Sequence, residues 1–158
     1  MPDQLSARPR VTVAAIVERA GLFLLVEEQT QDGLRLNQPA GHLEAGESPQ
    51  QGVVRETWEE TGRSFKPSGL VGIYLSRTRR GDQDVSYLRL AFYGEVSEAD
   101  ARHALDEGIV RTLWMDVDAI RASADRHRSP LVLRCVEDYL SGKRYPLQLI
   151  ATDPSVYG

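Results

Sequence analysis

Three glutamates in one short stretch of the chain have the side chains and the spacing that metal chemistry needs. Glu56, Glu59 and Glu60 lie at i, i+3 and i+4, which places three carboxylates on one face of a helix. Like charges at this spacing destabilise an isolated helix by about 0.2–0.5 kcal/mol per pair. A cation between the carboxylate oxygens would offset that cost, and Mg²⁺ takes oxygen ligands and shares them with substrate phosphates. The spacing therefore predicts a Mg²⁺ site, and the alternative interpretation is a solvated acidic helix face.

The residues around these glutamates predict the helix that would position them. Ser48 followed by Pro49 is typical of an N-cap and first helical position, and Gln51 completes a capping-box pattern. Gly62 lies where helices commonly end in the left-handed conformation. The sequence therefore predicts a helix of about three turns over residues 49–61.

Apolar runs before and after this helix predict five strands. They cover residues 11–17, 22–26, 70–75, 87–96 and 109–115. The turn sequence at residues 19–21 predicts that the first two strands form a hairpin, and the third and fourth strands are also expected to pair. Two further helices are expected, one capped by Asp116 and ending near Ala122, the other beginning at Ser129-Pro130 and ending before Gly142.

Four segments have weaker patterns. Residues 65–69 contain Pro67 and predict a short edge strand or loop. Residues 77–84 are charged and contain a glycine, which predicts a loop, and residues 97–108 are polar without a clear pattern. Residues 145–150 predict either a strand or an extended cover over the core. The order of the elements indicates one mixed α/β domain.

The composition is that of an ordinary globular protein. The 158 residues suit one domain, and a net charge of -4 without a basic stripe argues against nucleic-acid binding. No segment is long enough to span a membrane. The single cysteine, Cys135, excludes an internal disulfide and lies in an apolar helical pattern, which predicts a buried structural thiol and a cytoplasmic location.

The spacing of the charged and glycine residues is also that of a known motif. Gly41 is followed after five residues by Glu47 and after seven more by the run RETWEETG at residues 55–62. This pattern resembles the Nudix box of the Nudix hydrolases, a loop–helix–loop that binds Mg²⁺ at a diphosphate. Thr57 and Arg63 stand where aliphatic residues are usual in the family. We expect Thr57 to face the core, and Arg63 lies at the exit of the motif. Neither difference is therefore expected to affect metal binding.

The resemblance implies a fold and its boundaries. The expected fold is an α/β/α sandwich around a mixed β-sheet, in a single domain. The Nudix box covers residues 41–63, and we expect the domain to span residues 10–150. A polar lead-in at residues 1–9 precedes the domain, and a tail at residues 151–158 follows it.

The resemblance also implies an activity. It implies Mg²⁺-dependent hydrolysis of phosphoanhydride bonds, with Mn²⁺ as a substitute, by attack of water on phosphorus. Segments outside the box resemble one phosphatase of the family, at residues 11–14, 37–44, 128–132 and 141–147. This resemblance implies nucleoside tri- and diphosphates and hydroxymethylpyrimidine diphosphate as substrates. The expected partners are therefore small molecules, without nucleic acid or membrane.

Each box residue has an expected role. The metal residues implied by the resemblance are Gly41, Glu56, Glu59 and Glu60, and the catalytic residues are Glu47, Arg55, Glu59 and Glu60. Arg55 can pair with Glu59 and orient its carboxylate. Glu47 can reach Arg55, contact the metal through water, or complement the helix dipole. Gly41 would let the backbone approach the metal, and the alternative for it is a plain turn glycine.

The general base and the substrate contacts lie partly outside the box. Glu59 is either a third metal ligand or the base, and the other candidates for the base are Glu107, Asp82 and Asp84. Arg89 is the preferred phosphate-binding residue, with Arg77 and His42 as further substrate contacts. The other arginine candidates are Arg10, Arg79 and Arg80, and the aromatic candidates for a ring slot are Trp58, Tyr74, Tyr87, Phe92 and Trp114.

Two other functions are compatible with the same fold. A non-catalytic nucleotide-binding regulatory module would usually lack one of the box carboxylates, whereas all three are present here. An isoprenoid diphosphate isomerase would need a reactive cysteine near the substrate, whereas Cys135 is expected to be buried. Hydrolysis is therefore the preferred function.

Overall fold

Eight strands form two four-stranded sheets within residues 8–158, the part of the chain that the computed structural model describes. Most of the predicted lead-in, residues 1–7, lies outside the described residues. The first sheet is mixed and has the order β5-β1-β7-β6, in which β1 and β7 are parallel and the other pairs antiparallel. Its strands are β1 (Arg10–Ile16), β5 (Ala40–His42), β6 (Phe65–Arg80) and β7 (Gln83–Val96).

The second sheet is antiparallel and centres on β3. Its strands are β2 (Glu18–Arg19), β3 (Leu22–Thr30), β4 (Gly33–Asn37) and β8 (Ile109–Met115). The α-helices of the described residues are α1 (Pro49–Thr61), α2 (Val117–Ala122) and α3 (Leu131–Leu140), and short 3₁₀ turns cover Ala124–Arg126, Leu147–Leu149 and Pro154–Tyr157. The predicted single α/β domain with a mixed sheet is confirmed.

Helix α1 has the predicted bounds and caps. The Ser48 hydroxyl accepts a hydrogen bond from the Gln51 amide nitrogen at 3.1 Å, and the Gln51 side chain accepts one from the Ser48 nitrogen at 2.9 Å. Gly62 adopts the left-handed conformation with φ +68° and donates to the Trp58 carbonyl. Thr57 is fully buried, as predicted, and its hydroxyl donates to the Val53 carbonyl at 2.7 Å. The orientation of the helix is therefore fixed by its caps and by burial of one face.

The predicted hairpin of residues 11–17 and 22–26 is wrong. Strand β1 pairs with β5 and β7, and only Val17 and the two residues of β2 fold back onto β3. The turn itself is present, because Ala20 and Gly21 both have positive φ. The reason for the different pairing is burial, since residues 13–16 of β1 are completely or almost completely buried, as expected for a strand with a parallel neighbour.

Residues 65–69 belong to an edge strand, one of the two predicted alternatives, whereas the predicted loop at residues 77–84 is wrong. Strand β6 runs through residues 65–69 and continues to Arg80, and β7 begins at Gln83, so only Gly81 and Asp82 form the turn. Gly81 has φ +61°, which allows a two-residue hairpin turn. Pro67 is accommodated because β6 is an edge strand with register irregularities near this residue.

The C-terminal half otherwise follows the sequence predictions closely. Strand β8 has the predicted bounds, and the Asp116 carboxylate accepts from the Ala119 nitrogen at 2.7 Å to cap α2. Helix α3 begins at Leu131, and its first amide donates to the Ser129 hydroxyl at 3.2 Å. Tyr145 forms an isolated bridge to Leu70, after which the chain covers the core in a 3₁₀ turn. No helix of the described residues has the length and apolarity to cross a membrane.

A buried carboxylate holds the segment before α3 against the second sheet. Glu27 of β3 accepts from Arg111 at 3.1 Å and from Arg126 at 2.9 Å. The hydrogen bond from Arg111 is the main cause that lowers the pKa of Glu27, and the bond from Arg126 adds to it. Residues 124–128, which lead to one wall of the site described below, are therefore anchored from β3.

We expect Glu27→Gln to lower the free energy of unfolding by about 1 kcal/mol at neutral pH, because both arginines are partly exposed. A lowered carboxylate pKa stabilises the fold above its ordinary value of 4.5, and this contribution is lost as the pH falls through the native pKa. Urea unfolding of both proteins between pH 3 and 7 measures this. If the difference in free energy of unfolding between the wild type and Glu27→Gln stays constant below pH 4, the prediction is wrong.

Candidate active site

Arg55 lies at the centre of the charged residues on α1. Its guanidinium donates to both Glu47 carboxylate oxygens, at 3.0 and 2.8 Å, and to Glu56 at 2.8 Å and Glu59 at 3.1 Å. It also donates to the His42 carbonyl of β5 at 3.1 Å. The predicted contacts of Arg55 with Glu47 and Glu59 are thus both present. One arginine orients three carboxylates and ties the helix to the first sheet.

The pairing changes the protonation of the groups involved. The hydrogen bond from Arg55 lowers the pKa of the Glu47 carboxyl, whereas burial raises the pKa of the Glu56 carboxyl despite its own bond to Arg55. The carboxylates in turn raise the pKa of Arg55, with the bond to Glu47 as the main cause. Arg55 is therefore a permanent cation whose geometry depends on the planar fork of arginine.

Arg55→Lys tests this geometry. We expect kcat/KM to fall about ten- to a hundredfold and the Mg²⁺ concentration for half activity to rise, since one ammonium group cannot hold three carboxylates in a bidentate arrangement. Steady-state kinetics over a range of Mg²⁺ concentrations measures both effects. Arg121→Lys, on the exposed face of α2, is the control. Equal kinetics for the two variants would exclude this role for Arg55.

Glu60 is the most deeply buried carboxylate of the box. Its Oε1 atom accepts from the Ala40 amide nitrogen of β5 at 2.8 Å, and the residue is 7% exposed. The pKa of Glu60 is raised to about 9, mainly by burial. The negative charges of Glu28, Glu56 and Asp106 contribute to the rise, and the hydrogen bond from Ala40 opposes it. Without a cation, Glu60 is therefore protonated at neutral pH.

Gly41 is in direct contact with the carboxylate of Glu56. A Cβ atom built on Gly41 would clash with the carboxylate atoms of Glu56. The φ of Gly41 is outside the left-handed region, so the position needs glycine for space and not for backbone conformation. This observation favours the predicted role of Gly41, a close approach of the backbone to the site, over a plain turn glycine.

A third carboxylate joins Glu56 and Glu59 from outside the box. Oxygen atoms of Glu56, Glu59 and Asp106 lie within 4.8 Å of one another. The Asp106 amide nitrogen donates to the Glu59 carbonyl at 3.1 Å, which fixes this residue at the end of α1. Asp106 was not among the residues predicted from the sequence, whereas its neighbour Glu107 was a candidate for the general base. The segment of residues 97–108 has no pattern that distinguishes one acidic residue from another. The position of Asp106 shortly before β8 was the one signal in the sequence for a contact with α1.

Two adjacent cavities lie near this cluster, and only the larger has carboxylates of the site, Glu60 and Asp106, in its wall. The smaller, of about 240 Å³, lies on the first sheet and includes Gly41, His42 and Arg89 in its wall. The larger, of about 780 Å³, includes Glu60, Asp106 and Glu107. Three residues lie in both walls, namely Glu28, Thr78 and Arg128.

Two of the three predicted substrate contacts lie in the wall of the smaller cavity, and the third does not. Arg89 is buried in the wall of the smaller cavity, where it donates to Gln38 at 2.8 Å and Asn37 at 2.9 Å. His42 lies in the same wall, with its ring 6.2 Å from that of Tyr87. Arg77 is not in either wall. It is exposed and pairs with Asp84 at 2.6 Å, because strand alternation turns its neighbours on both sides toward the cavity instead.

The other candidates divide in the same way. Arg10 lines the smaller cavity, and Arg79 lines the larger one. Of the aromatic candidates, Tyr87 alone lies in a wall of the two cavities among the described side chains. The others have structural contacts, such as Trp58 with His103 at 4.7 Å between ring centroids. Cys135 is buried, as predicted, with its sulfur 3.9 Å from Arg89.

The residues present fit a divalent cation with oxygen ligands. The donors are carboxylates, which Mg²⁺ and Mn²⁺ prefer to nitrogen or sulfur ligands. Burial is the main cause that raises the pKa values of Glu56 and Glu60, and neighbouring negative charges raise them as well. A cation at this position would favour the ionised form of each carboxylate.

Comparison with known proteins gives a consistent result. A family model described as the NUDIX domain matches residues 8–135. Phosphatase NudJ of Escherichia coli strain K12 is 37% identical over 143 residues, which are 90% of this chain and 91% of that relative. It is the phosphatase that the segments outside the box resemble.

Solved structures show the same likeness. A NUDIX hydrolase from Nitrosomonas europaea has a TM-score of 0.86 and 48% identity, over 92% of this chain and 98% of that chain. A UDP-X diphosphatase has a TM-score of 0.69 over 88% of this chain and 66% of that chain, and at 20% identity it shows the fold alone. By its family model, its relatives and its fold, this chain belongs to the Nudix family of hydrolases.

Proposed function

We propose that this hydrolase uses Mg²⁺ to cleave the phosphoanhydride bonds of nucleoside tri- and diphosphates, with hydroxymethylpyrimidine diphosphate as a further candidate substrate. The observation that carries the proposal is the convergence of Glu56, Glu59 and Asp106, the last of which lines the larger cavity together with Arg79 and Arg128. The similarity to a phosphatase supports the same reaction class. The complete set of carboxylates favours catalysis over a regulatory module that only binds.

The metal would be held by carboxylates from α1 and from the segment before β8. Glu56, Glu59 and Asp106 provide oxygen atoms close to one another, and Glu60 becomes a further ligand when it loses its proton. Gly41 leaves the space that Glu56 needs. When bound there, Mg²⁺ would supply positive charge that offsets the negative charge of the phosphate groups and the charge that develops on cleavage.

The protein residues supply positioning and proton transfer. Glu59 has a side chain 36% exposed, so water can reach it, and it is the candidate to accept the proton of the attacking water. Arg55 holds its carboxylate in place at 3.1 Å. On the substrate side, Arg89 and His42 lie in the wall of the smaller cavity, where the part of the substrate that does not react would bind.

A release assay tests the proposal. The protein is incubated with Mg²⁺, Mn²⁺ or EDTA and with nucleoside tri- and diphosphates, nucleotide sugars or hydroxymethylpyrimidine diphosphate, and free phosphate and pyrophosphate are measured. We expect turnover of at least one nucleotide or pyrimidine diphosphate with either metal and none with EDTA. Folded protein that hydrolyses none of these substrates would refute the proposal.

A further inference from the structure

One ion pair separates the two cavities. Glu28 and Arg128 lie in both walls, and their charged atoms are 3.6 Å apart. On one side of the pair is the smaller cavity with Arg89, and on the other side are Glu60 and Asp106. A substrate that spans both cavities therefore passes Arg128.

Among the described side chains, Arg128 is the only arginine in both walls. Arg10 and Arg89 lie only in the wall of the smaller cavity, and Arg35 and Arg79 only in that of the larger. Arg89 is also committed to Gln38 and Asn37 through short hydrogen bonds. The guanidinium at the boundary thus belongs to Arg128, which was not among the substrate contacts predicted from the sequence.

The backbone around Arg128 is fixed, whereas its side chain is held loosely. Its amide nitrogen donates to the Leu36 carbonyl at 2.8 Å, and Arg126 anchors the same segment to Glu27. The 3.6 Å separation from Glu28 is longer than the 2.7–2.9 Å of a strong charge-assisted hydrogen bond, and the side chain is 27% exposed. A dianionic phosphate at the boundary would be a better partner for the guanidinium than this carboxylate.

We propose that Arg128 binds a phosphate group of the substrate at the boundary between the two cavities. The bond to be cleaved then lies on the side of the carboxylates, and the organic part lies in the smaller cavity. The ligand class is a diphosphate attached to a small polar group, and Glu28 holds the guanidinium when this ligand is absent. The inference rests on the proposed function, since it assigns a substrate contact of the same site.

Binding of methylenediphosphonate, which has a P–C–P bridge that water does not cleave, tests Arg128 without turnover. Isothermal titration calorimetry at saturating Mg²⁺ compares the wild type with Arg128→Ala, Arg128→Lys, Glu28→Gln and Arg121→Gln. Arg121→Gln is the control, because it removes an arginine that pairs with two carboxylates and lies in neither cavity wall. Binding of Mg²⁺ alone is measured for each variant as a test of the metal site.

We expect Arg128→Ala to weaken diphosphonate binding at least about tenfold, as loss of a charge-assisted hydrogen bond does. Arg128→Lys should lose less affinity, and Arg121→Gln should bind the probe as the wild type does. Glu28→Gln should bind it equally or more tightly because the competing carboxylate is gone. Binding of Mg²⁺ alone should be unchanged in Arg128→Ala.

Two results would overturn the inference. One is wild-type affinity in Arg128→Ala, and the other is an equal loss in Arg128→Ala and Glu28→Gln, which would show a purely structural ion pair. These results are separate from the proposed function, because diphosphonate binding needs no hydrolysis. A wild type that binds the probe through Arg128 but releases no phosphate would refute the hydrolysis and leave this contact in place.

Discussion

Glu60→Gln is expected to lower kcat/KM at least about a hundredfold while the protein remains folded. The amide is nearly isosteric, and its oxygen can still accept the hydrogen bond that the Ala40 nitrogen donates to Glu60 at 2.8 Å. What the substitution removes is the negative charge that Glu60 gains on losing its proton. Loss of a preorganised charge at a reacting centre commonly lowers rates a hundred- to a thousandfold.

The same variant should be as stable as the wild type or more stable when EDTA removes divalent cations. The pKa of Glu60 is about 9 in the native state, against an ordinary value of 4.5. Between these values the native state binds a proton that the unfolded chain does not bind, so the stability of the wild type falls as the pH rises. Glu60→Gln does not lose stability in this way. The difference between its free energy of unfolding and that of the wild type should therefore grow from pH 6 to pH 9.

Thermal unfolding in EDTA from pH 5 to 9, with steady-state kinetics at saturating Mg²⁺, measures both effects. Glu98→Gln is the control, because the Glu98 side chain is 89% exposed and lies in neither cavity wall. Near-normal activity of Glu60→Gln would mean that other carboxylates, and not Glu60, bind the metal. A wild type more stable than the variant at pH 9 in EDTA would contradict the raised pKa.

Gly41→Ala is the second substitution with a large expected effect. The added methyl group would clash with the Glu56 carboxylate. The carboxylate must then move from its position between Gly41 and Arg55. We expect Mg²⁺ binding to weaken at least about tenfold and kcat/KM to fall about a hundredfold, since a displacement of 1 Å in a site can reduce rates that much. Metal titration by calorimetry and steady-state kinetics measure the two losses.

Gly46→Ala provides the contrast within the same loop. Gly46 has φ +83°, and a Cβ atom there meets no other atom within 4 Å. The substitution should therefore destabilise the protein by about 1–2 kcal/mol through backbone strain, without displacing a carboxylate. If the two alanine variants lose activity in proportion to their stability alone, the proposed contact between Gly41 and Glu56 has no catalytic importance.

Local sequence signals predicted the elements that carry most of the site. The caps of α1 at Ser48 and Gly62 involve residues three or four positions apart, so the sequence contains both partners of each hydrogen bond. For the same reason the i, i+4 contact of Arg55 with Glu59 could be predicted. The bounds of α1 and of β8 followed from these signals and from apolar patterning.

Contacts between distant segments could not be predicted in this way. Asp106 reaches Glu59 across 47 positions and is one of several acids in a segment without periodicity. Arg77 and Arg89 are both strand arginines, and the direction of each side chain depends on which face of the sheet is covered. The pairing of β1 with β7, instead of a hairpin with β3, likewise depends on what buries each strand.

The sequence by itself determined the family pattern, helix α1 with its caps, and three carboxylates at a spacing suited to a cation. These features depend on neighbours within one or two turns of the chain. The tertiary structure alone decided that Glu60 is buried against β5, that Asp106 completes the cluster, and that Arg128 stands between the two cavities. Burial and charge at these positions come from segments far apart in sequence, and only packing brings them together.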